Sequence, residues 1–260
     1  MMLPRGVNRR IGQAMHDYAM LADNDRVLVA VSGGVDSLFL AWLLPFWLRK
    51  APITCHVHAV HIDMEPGEDG PGEAAKAVLE QLAGIGVDCT ILPTIWQPPR
   101  IEEEGDLQSG AGRDICYTCA RHRRKQLFDF ARRKSFGKIA LGHHRDDLIE
   151  TFFLNICFAG NISTMVPRQD LFEGRLSLIR PLALLDKEEI VARAGELGLR
   201  PVRTRCPLSE RTRRMEVRQL LGDLYERIPG SRMRIFAALS NVRGDYLLRR
   251  KTSRADRATG

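Results

Sequence analysis

The feature that most restricts this chain is residues 27–37, an apolar run that ends in Ser32-Gly33-Gly34-Val35-Asp36-Ser37. Five consecutive apolar residues, Val27 to Val31, are too few for a helix and fit a strand buried on both faces. A Ser-Gly-Gly turn follows, and then a second apolar run of helical length from Ser37. Strand, glycine turn and helix N-terminus in that order build an anion site. The glycines admit close backbone approach, free N–H groups point outward, and the helix dipole favours negative charge. Ser32 and Ser37 add hydroxyl donors, and Asp36 is placed to hold magnesium or to cap the helix. The loop is not a Walker A sequence, because its spacing is too short and no Lys precedes the final Ser. Taken alone, the same residues also fit an ordinary strand-to-helix turn.

Downstream, strand-like and helix-like stretches alternate. Strands are expected at residues 53–62, 87–93, 138–142 and 176–179. Helices are expected at 36–48, 73–83, 117–136, 148–158 and 187–197, after a leading amphipathic helix at 8–21. The pattern predicts an α/β fold, a doubly wound, mostly parallel five-stranded sheet with its sites at the carboxyl ends of the strands. Three polar clusters fall at those ends: residues 32–37, Asp63, and residues 142–147. Segments 95–115 and 159–174 read as irregular, the second as an insertion with no period. The chain therefore divides into an N-terminal helix at 1–24, an α/β domain at 25–200, a basic helical segment at 201–248 and a tail at 249–260.

Hydrophobic and charged contents of 44% and 27% over 260 residues are those of a soluble globular chain. No apolar run reaches the ~18 residues of a membrane span, and no apolar segment follows the charged start as in a signal peptide. No membrane partner and a cytoplasmic location are expected. Net charge is +7, yet residues 200–260 alone hold 16 Lys and Arg against 6 Asp and Glu. A mildly acidic body with a basic C-terminal portion suits a polyanion engaged from one side, although a solvated basic tail has the same composition.

Of the six cysteines, Cys55, Cys89 and Cys157 sit among apolar neighbours and read as small core residues. The others are Cys116-Tyr117-Thr118-Cys119 and, far downstream, Cys206. A Cys-x-x-Cys pair alone fits a redox dithiol, half of a zinc site or part of an iron–sulfur site. His122 or His143 would complete a zinc set. Three thiolates suit a [4Fe–4S] cluster with one iron lacking a protein ligand.

The Ser-Gly-Gly-x-Asp-Ser loop resembles the PP-loop of the ATP pyrophosphatases, enzymes that split the α–β bond of ATP to adenylate a substrate. Cys-x-x-Cys, Arg121-His122-Arg123-Arg124, Ala-Leu-Gly-His-His-Arg-Asp-Asp at 140–147, Ile179-Arg180-Pro181-Leu182, the single later Cys206 and residues 225–242 resemble the tRNA 2-thiocytidine synthetase family. The resemblance runs over nearly the whole chain. It implies an adenine nucleotide alpha hydrolase-like fold and an enzyme that uses ATP, Mg²⁺ and a [4Fe–4S] cluster to thiolate C2 of a cytidine in tRNA. It makes Ser32, Gly33, Gly34, Asp36 and Ser37 the phosphate site, with Ala59, His61 and Gly142 at the nucleotide. Cys116, Cys119 and Cys206 become the cluster ligands, and Arg123, Asp146 and Asp147 the catalytic side chains. In this scheme adenylation turns the C2 oxygen into a leaving group, Arg123 and the loop amides stabilise departing pyrophosphate, and hydrosulfide then attacks C2 as AMP departs. A cysteine desulfurase or sulfide would supply the sulfur, and a homodimer is a possible assembly. One departure stands out: close relatives carry Lys where this chain has Val35, which removes a cation from the loop. A lysidine-synthetase-like ligase, or a non-catalytic nucleotide- and RNA-binding iron–sulfur protein, is the alternative.

Overall fold

The computed structural model describes residues 3–97, 110–202 and 213–248. Strand β1 (Arg26–Val31) lies at the centre of the sheet, because its two faces feed two separate cores. Alternate side chains of a strand point to opposite faces. Val27, Val29 and Val31 accordingly enter one core, while Leu28 enters the other. β2 (His56–Asp63) and β4 (Lys138–Ala140) flank β1 in parallel, β3 (Cys89–Pro93) lies outside β2, and β6 (Leu176–Ile179) lies outside β4. The order is β3-β2-β1-β4-β6-β5, parallel except at its last pair.

That last pair corrects the sequence reading. The sheet has six strands, not five, since β5 (Arg168–Leu171) falls inside the segment read as an insertion. It runs antiparallel to β6 through a turn in which Phe172, Glu173 and Gly174 all take positive φ. Arg168-Gln169-Asp170-Leu171 has a single apolar residue, so hydropathy does not mark it; as an edge strand it needs little.

The larger core joins α1 (Arg5–Asp17), α2 (Val35–Leu48), α3 (Glu73–Gly84) and α6 (Lys187–Glu196) to one face of the sheet. The long helix α4 (Gly110–Arg133) covers the other face through Phe130 and Ala131. It begins inside the segment read as irregular. The expected helix at 148–158 is instead α5 (Arg145–Leu154), followed by a π-helical turn over Asn155–Ala159. That turn leaves Cys157 exposed, so Cys157 is not the core residue its neighbours suggested. Cys89 does pack against the larger core, and burial pushes its thiol up to about 11.

Two C-terminal helices, α7 (Arg213–Arg227) and α8 (Ser231–Ala238), pack on α5 around Ile149, Val217 and Leu221. Ionic contacts hold the same interface. Glu150, only 3% exposed, receives Arg218 at 2.7 and 3.1 Å, and Asp146 pairs with Arg232. No helix among the described residues is long and apolar enough to cross a membrane.

Candidate functional site: a nucleotide cleft at the strand ends

The carboxyl ends of β1, β2 and β4 open into a cleft of about 380 Å³. One wall is the loop between β1 and α2, the other is α4, and Val60, Ile139 and Leu178 supply apolar surface between them. Gly33 takes a φ of +88°, a conformation open to glycine, and its carbonyl accepts the Val202 N–H at 2.9 Å. Ser37 Oγ accepts the Ser32 N–H at 3.0 Å and donates to the Gly34 carbonyl at 2.8 Å. That hydroxyl therefore shapes the loop and is not spare for a ligand. A Cβ on Gly142 would sit 2.9 Å from the backbone of Asp36 and Ser37, so glycine is required for β4 to approach the loop this closely.

His61 donates Nδ1–H to the Val31 carbonyl at 2.8 Å. Burial lowers its pKa, so the ring is neutral and Nε2 is left as an acceptor at the cleft. His143 is held in the other tautomer. Arg180 Nε donates to its Nδ1 at 3.2 Å, which places the proton on Nε2. Burial, aided by the charges of Arg180 and Arg214 and opposed by Asp147, pushes His143 down to about 4. His144 behaves oppositely. Burial disfavours its charged form, but Asp146 and Asp147 at 3.4 Å and Asp36 at 3.9 Å outweigh that and raise its pKa.

The two adjacent aspartates part company. Asp147 lines the cleft, accepts the His144 N–H at 2.9 Å as a helix cap, and lies 3.5 Å from Arg214. Asp146 turns away from the cleft to Arg232 and the Lys187 N–H. Burial alone would raise Asp146, yet His144 and Arg232 hold it well below the usual carboxylate range. Of the residues expected at the site, Ser32, Asp36, Ser37, His61, Gly142, Arg123 and Asp147 line the cleft. Gly33 and Gly34 form the loop behind it, whereas Ala59 is buried within β2 between Val29 and Cys89.

Cys116 and Cys119 are half-buried on α4. At 100° per residue, Cys116 shares a stripe with Ala120, Arg123 and Leu127, which line the cleft, and Cys119 borders it. Two thiols on one helix face beside the cleft fit part of a cluster site. Among the described residues no three His, Cys, Asp or Glu side chains gather around a metal position. Cys206 lies outside the described residues, but the described residues on either side of it are both held at the cleft, Val202 on Gly33 and Arg214 beside Asp147.

Sequence reasoning missed Lys187. Its Nζ lies 2.7 and 2.6 Å from the Asp36 oxygens, which places an ammonium at the loop that carries Val35. Asp63, one of the three polar clusters expected at the strand ends, does line the cleft; it is buried and accepts the N–H groups of Gly72 at 2.7 Å and Glu65 at 3.0 Å, bracing the loop after β2. Position at a strand end was the signal that marked Asp63; nothing local marked Lys187.

The family model of the PP-loop domain matches residues 4–224. A tRNA-cytidine(32) 2-sulfurtransferase of Pelobacter propionicus is 36% identical over 246 residues, covering 94% of this chain and 88% of that protein. One from Sorangium cellulosum is 36% identical over 249 residues, covering 95% and 84%. Among solved structures, the U34-tRNA thiolase of Methanococcus maripaludis with its [4Fe–4S] cluster superposes with a TM-score of 0.70 at 22% identity, over 91% of this chain and 77% of that one. The strand-end cleft, its glycine loop and near-full-length likeness to these sulfurtransferases place the chain in the PP-loop domain family, in the branch of the tRNA-cytidine(32) 2-sulfurtransferases.

Proposed function

We propose that this protein is an ATP-dependent tRNA sulfurtransferase that adenylates the C2 oxygen of cytidine 32 and replaces it with sulfur. The observation that carries the reading is convergence on one cleft. The glycine loop, Arg123, Asp147 and the helix stripe of Cys116 all meet there. The names of the relatives supply the base and the position in tRNA.

The amides at the start of α2 hold the ATP phosphates, and Asp36 and Asp147 present the carboxylate oxygens that suit Mg²⁺. Arg123 faces the loop across the cleft and stabilises charge developing on pyrophosphate. His61 is a neutral acceptor on the nucleotide side of the cleft. His143, neutral with its proton on Nε2, is a donor beside Asp147. Asp146 serves as an anchor for Arg232 rather than as a ligand. Cys116, Cys119 and Cys206 would hold a [4Fe–4S] cluster, which would supply the means of carrying sulfur to the activated base.

Nucleoside analysis of tRNA from a strain lacking this protein tests the reading. Loss of 2-thiocytidine is expected, restored by the wild-type gene. Loss of lysidine with 2-thiocytidine intact would overturn it.

A further inference from the structure

We infer that Tyr117, Arg121 and Arg124 of α4 form a docking stripe for an unpaired nucleotide of the RNA substrate, the base stacking on Tyr117 and its phosphates lying on the two guanidinium groups. The inference rests on the tRNA reading above and adds the surface through which the RNA reaches the cleft.

At 100° per residue, Tyr117, Arg121, Arg124 and Phe128 fall within a narrow sector of α4. Two of the four, Arg124 and Phe128, line the cleft. The stripe therefore leads out of the cleft along the helix, rising about 10 Å from Arg124 to Tyr117. Tyr117 stands beside Cys116 and two residues from Cys119, and it is 70% exposed. An exposed aromatic ring flanking a thiol pair is not explained by packing, because Tyr117 belongs to none of the three apolar clusters.

The roll of α4 that presents this stripe is fixed from its far side. His122 stacks flat on Trp96, with ring centroids 5.2 Å apart and an interplanar angle of 1°. Gln126 donates to the Pro93 carbonyl at 2.7 Å and accepts the Ile95 N–H at 3.3 Å. These contacts tie α4 to the exit of β3, while Phe128 anchors the foot of the opposite sector against Phe172 and leaves its Tyr117, Arg121 and Arg124 exposed.

Charge selects the occupant. Arg121, Arg123, Arg124 and Lys125 are all exposed, and residues 115–128 contain no Asp or Glu. Exposed cations alternating with an aromatic ring suit a single-stranded nucleic acid, whose bases stack on side chains while its phosphates seek arginine. A base must leave its stack to react at C2, and the ring nearest the thiols is where its neighbour can rest.

The test uses the full chain with its cluster reconstituted and an unmodified anticodon stem–loop RNA, with affinity read by fluorescence anisotropy. Tyr117→Ala is expected to weaken RNA binding at least about fivefold, and Tyr117→Phe to stay within about twofold of wild type. Arg121→Gln should lower the slope of log affinity against log salt by about 0.7. Cluster absorption, ATP affinity and melting midpoint should be unchanged in all three. Wild-type affinity in Tyr117→Ala overturns the inference while the tRNA reading stands. So does a loss matched by loss of the cluster, or a Tyr117→Ala variant that keeps RNA affinity but no longer accepts sulfur from its donor protein. A wild-type protein that binds no RNA overturns the tRNA reading, and this inference with it.

Discussion

Lys187 Nζ contacts both carboxylate oxygens of Asp36, at 2.7 and 2.6 Å, joining the first turn of α6 to the glycine loop across 151 positions of sequence. The pair is partly exposed, with side chains at 38% and 23%, so it adds no more than ~1 kcal/mol to stability. Its value lies in placing a cation where Val35 offers none. Lys187→Ala is expected to melt near wild type and to lower kcat/KM for ATP about tenfold or more in a pyrophosphate-release assay. An unchanged kcat/KM would mean that the ammonium serves Asp36 alone.

Gly142→Ala should strike the same loop from the β4 side. The added methyl meets backbone at 2.9 Å, which no rotamer change relieves. Overpacking of this kind costs about 1–3 kcal/mol, and here the displaced atoms are those that follow the glycine loop. Both the melting midpoint and ATP affinity should fall, the latter about tenfold by calorimetric titration.

His143 makes stability depend on pH in a definite direction. Its folded pKa is about 4 against 6.5 for the free side chain. Between those values the unfolded chain takes up a proton that the folded chain refuses, so stability falls as pH drops from 6.5 towards 4. Its contribution between pH 7 and pH 5 is about 2 kcal/mol. His144 is shifted upward, so its stabilisation is fully present below pH 6.5 and is lost as pH rises through its folded pKa, offsetting part of the slope. Urea unfolding at the two pH values should show a smaller acid loss in His143→Gln than in wild type. Equal losses would remove His143 as the cause.

Arg218→Ala leaves Glu150 buried without its two-pronged partner, and the remaining Arg214 stands 3.8 Å away. Breaking a fully buried pair costs about 3–5 kcal/mol; because Arg218 is itself largely exposed, about 2 kcal/mol is expected from chemical denaturation. Adding Glu150→Gln should recover part of the loss, since the uncompensated charge is then gone.

Cysteine substitutions separate cluster ligands from bystanders. Cys116→Ser and Cys119→Ser are expected to lose the visible absorption and the roughly four irons per chain of the anaerobically reconstituted protein. Cys157→Ser, on the exposed π-turn, should keep both. Retained iron in Cys116→Ser would remove that residue from the ligand set.

What the sequence disclosed, and what it hid, follows from the range of the forces involved. β1, the glycine loop and α2 were readable because a continuous apolar run and two glycines state their conformation locally. β5 was hidden because an edge strand of Arg, Gln, Asp and Leu is stabilised by its ladder to β6 rather than by burial. The π-turn that exposes Cys157 leaves no mark in hydropathy. Lys187 on Asp36, Arg232 on Asp146 and Arg214 on Asp147 are pairings between distant segments, and no local pattern specifies which arginine of a basic C-terminal third finds which carboxylate. The separate fates of Asp146 and Asp147 were lost to the sequence reading for that reason.

The clamp of α7 and α8 on α5 bears on how the protein is made. A ribosome delivers the glycine loop and the β4–α5 corner long before Arg214, Arg218 and Arg232 emerge. Until they do, Glu150 and Asp146 lack their guanidinium partners, and the nascent polypeptide holds the strand-end cleft with an unfinished flank. Cotranslational maturation of the pocket thus ends with the last helices, and a message truncated upstream of Arg213 would yield a product without a completed reaction chamber.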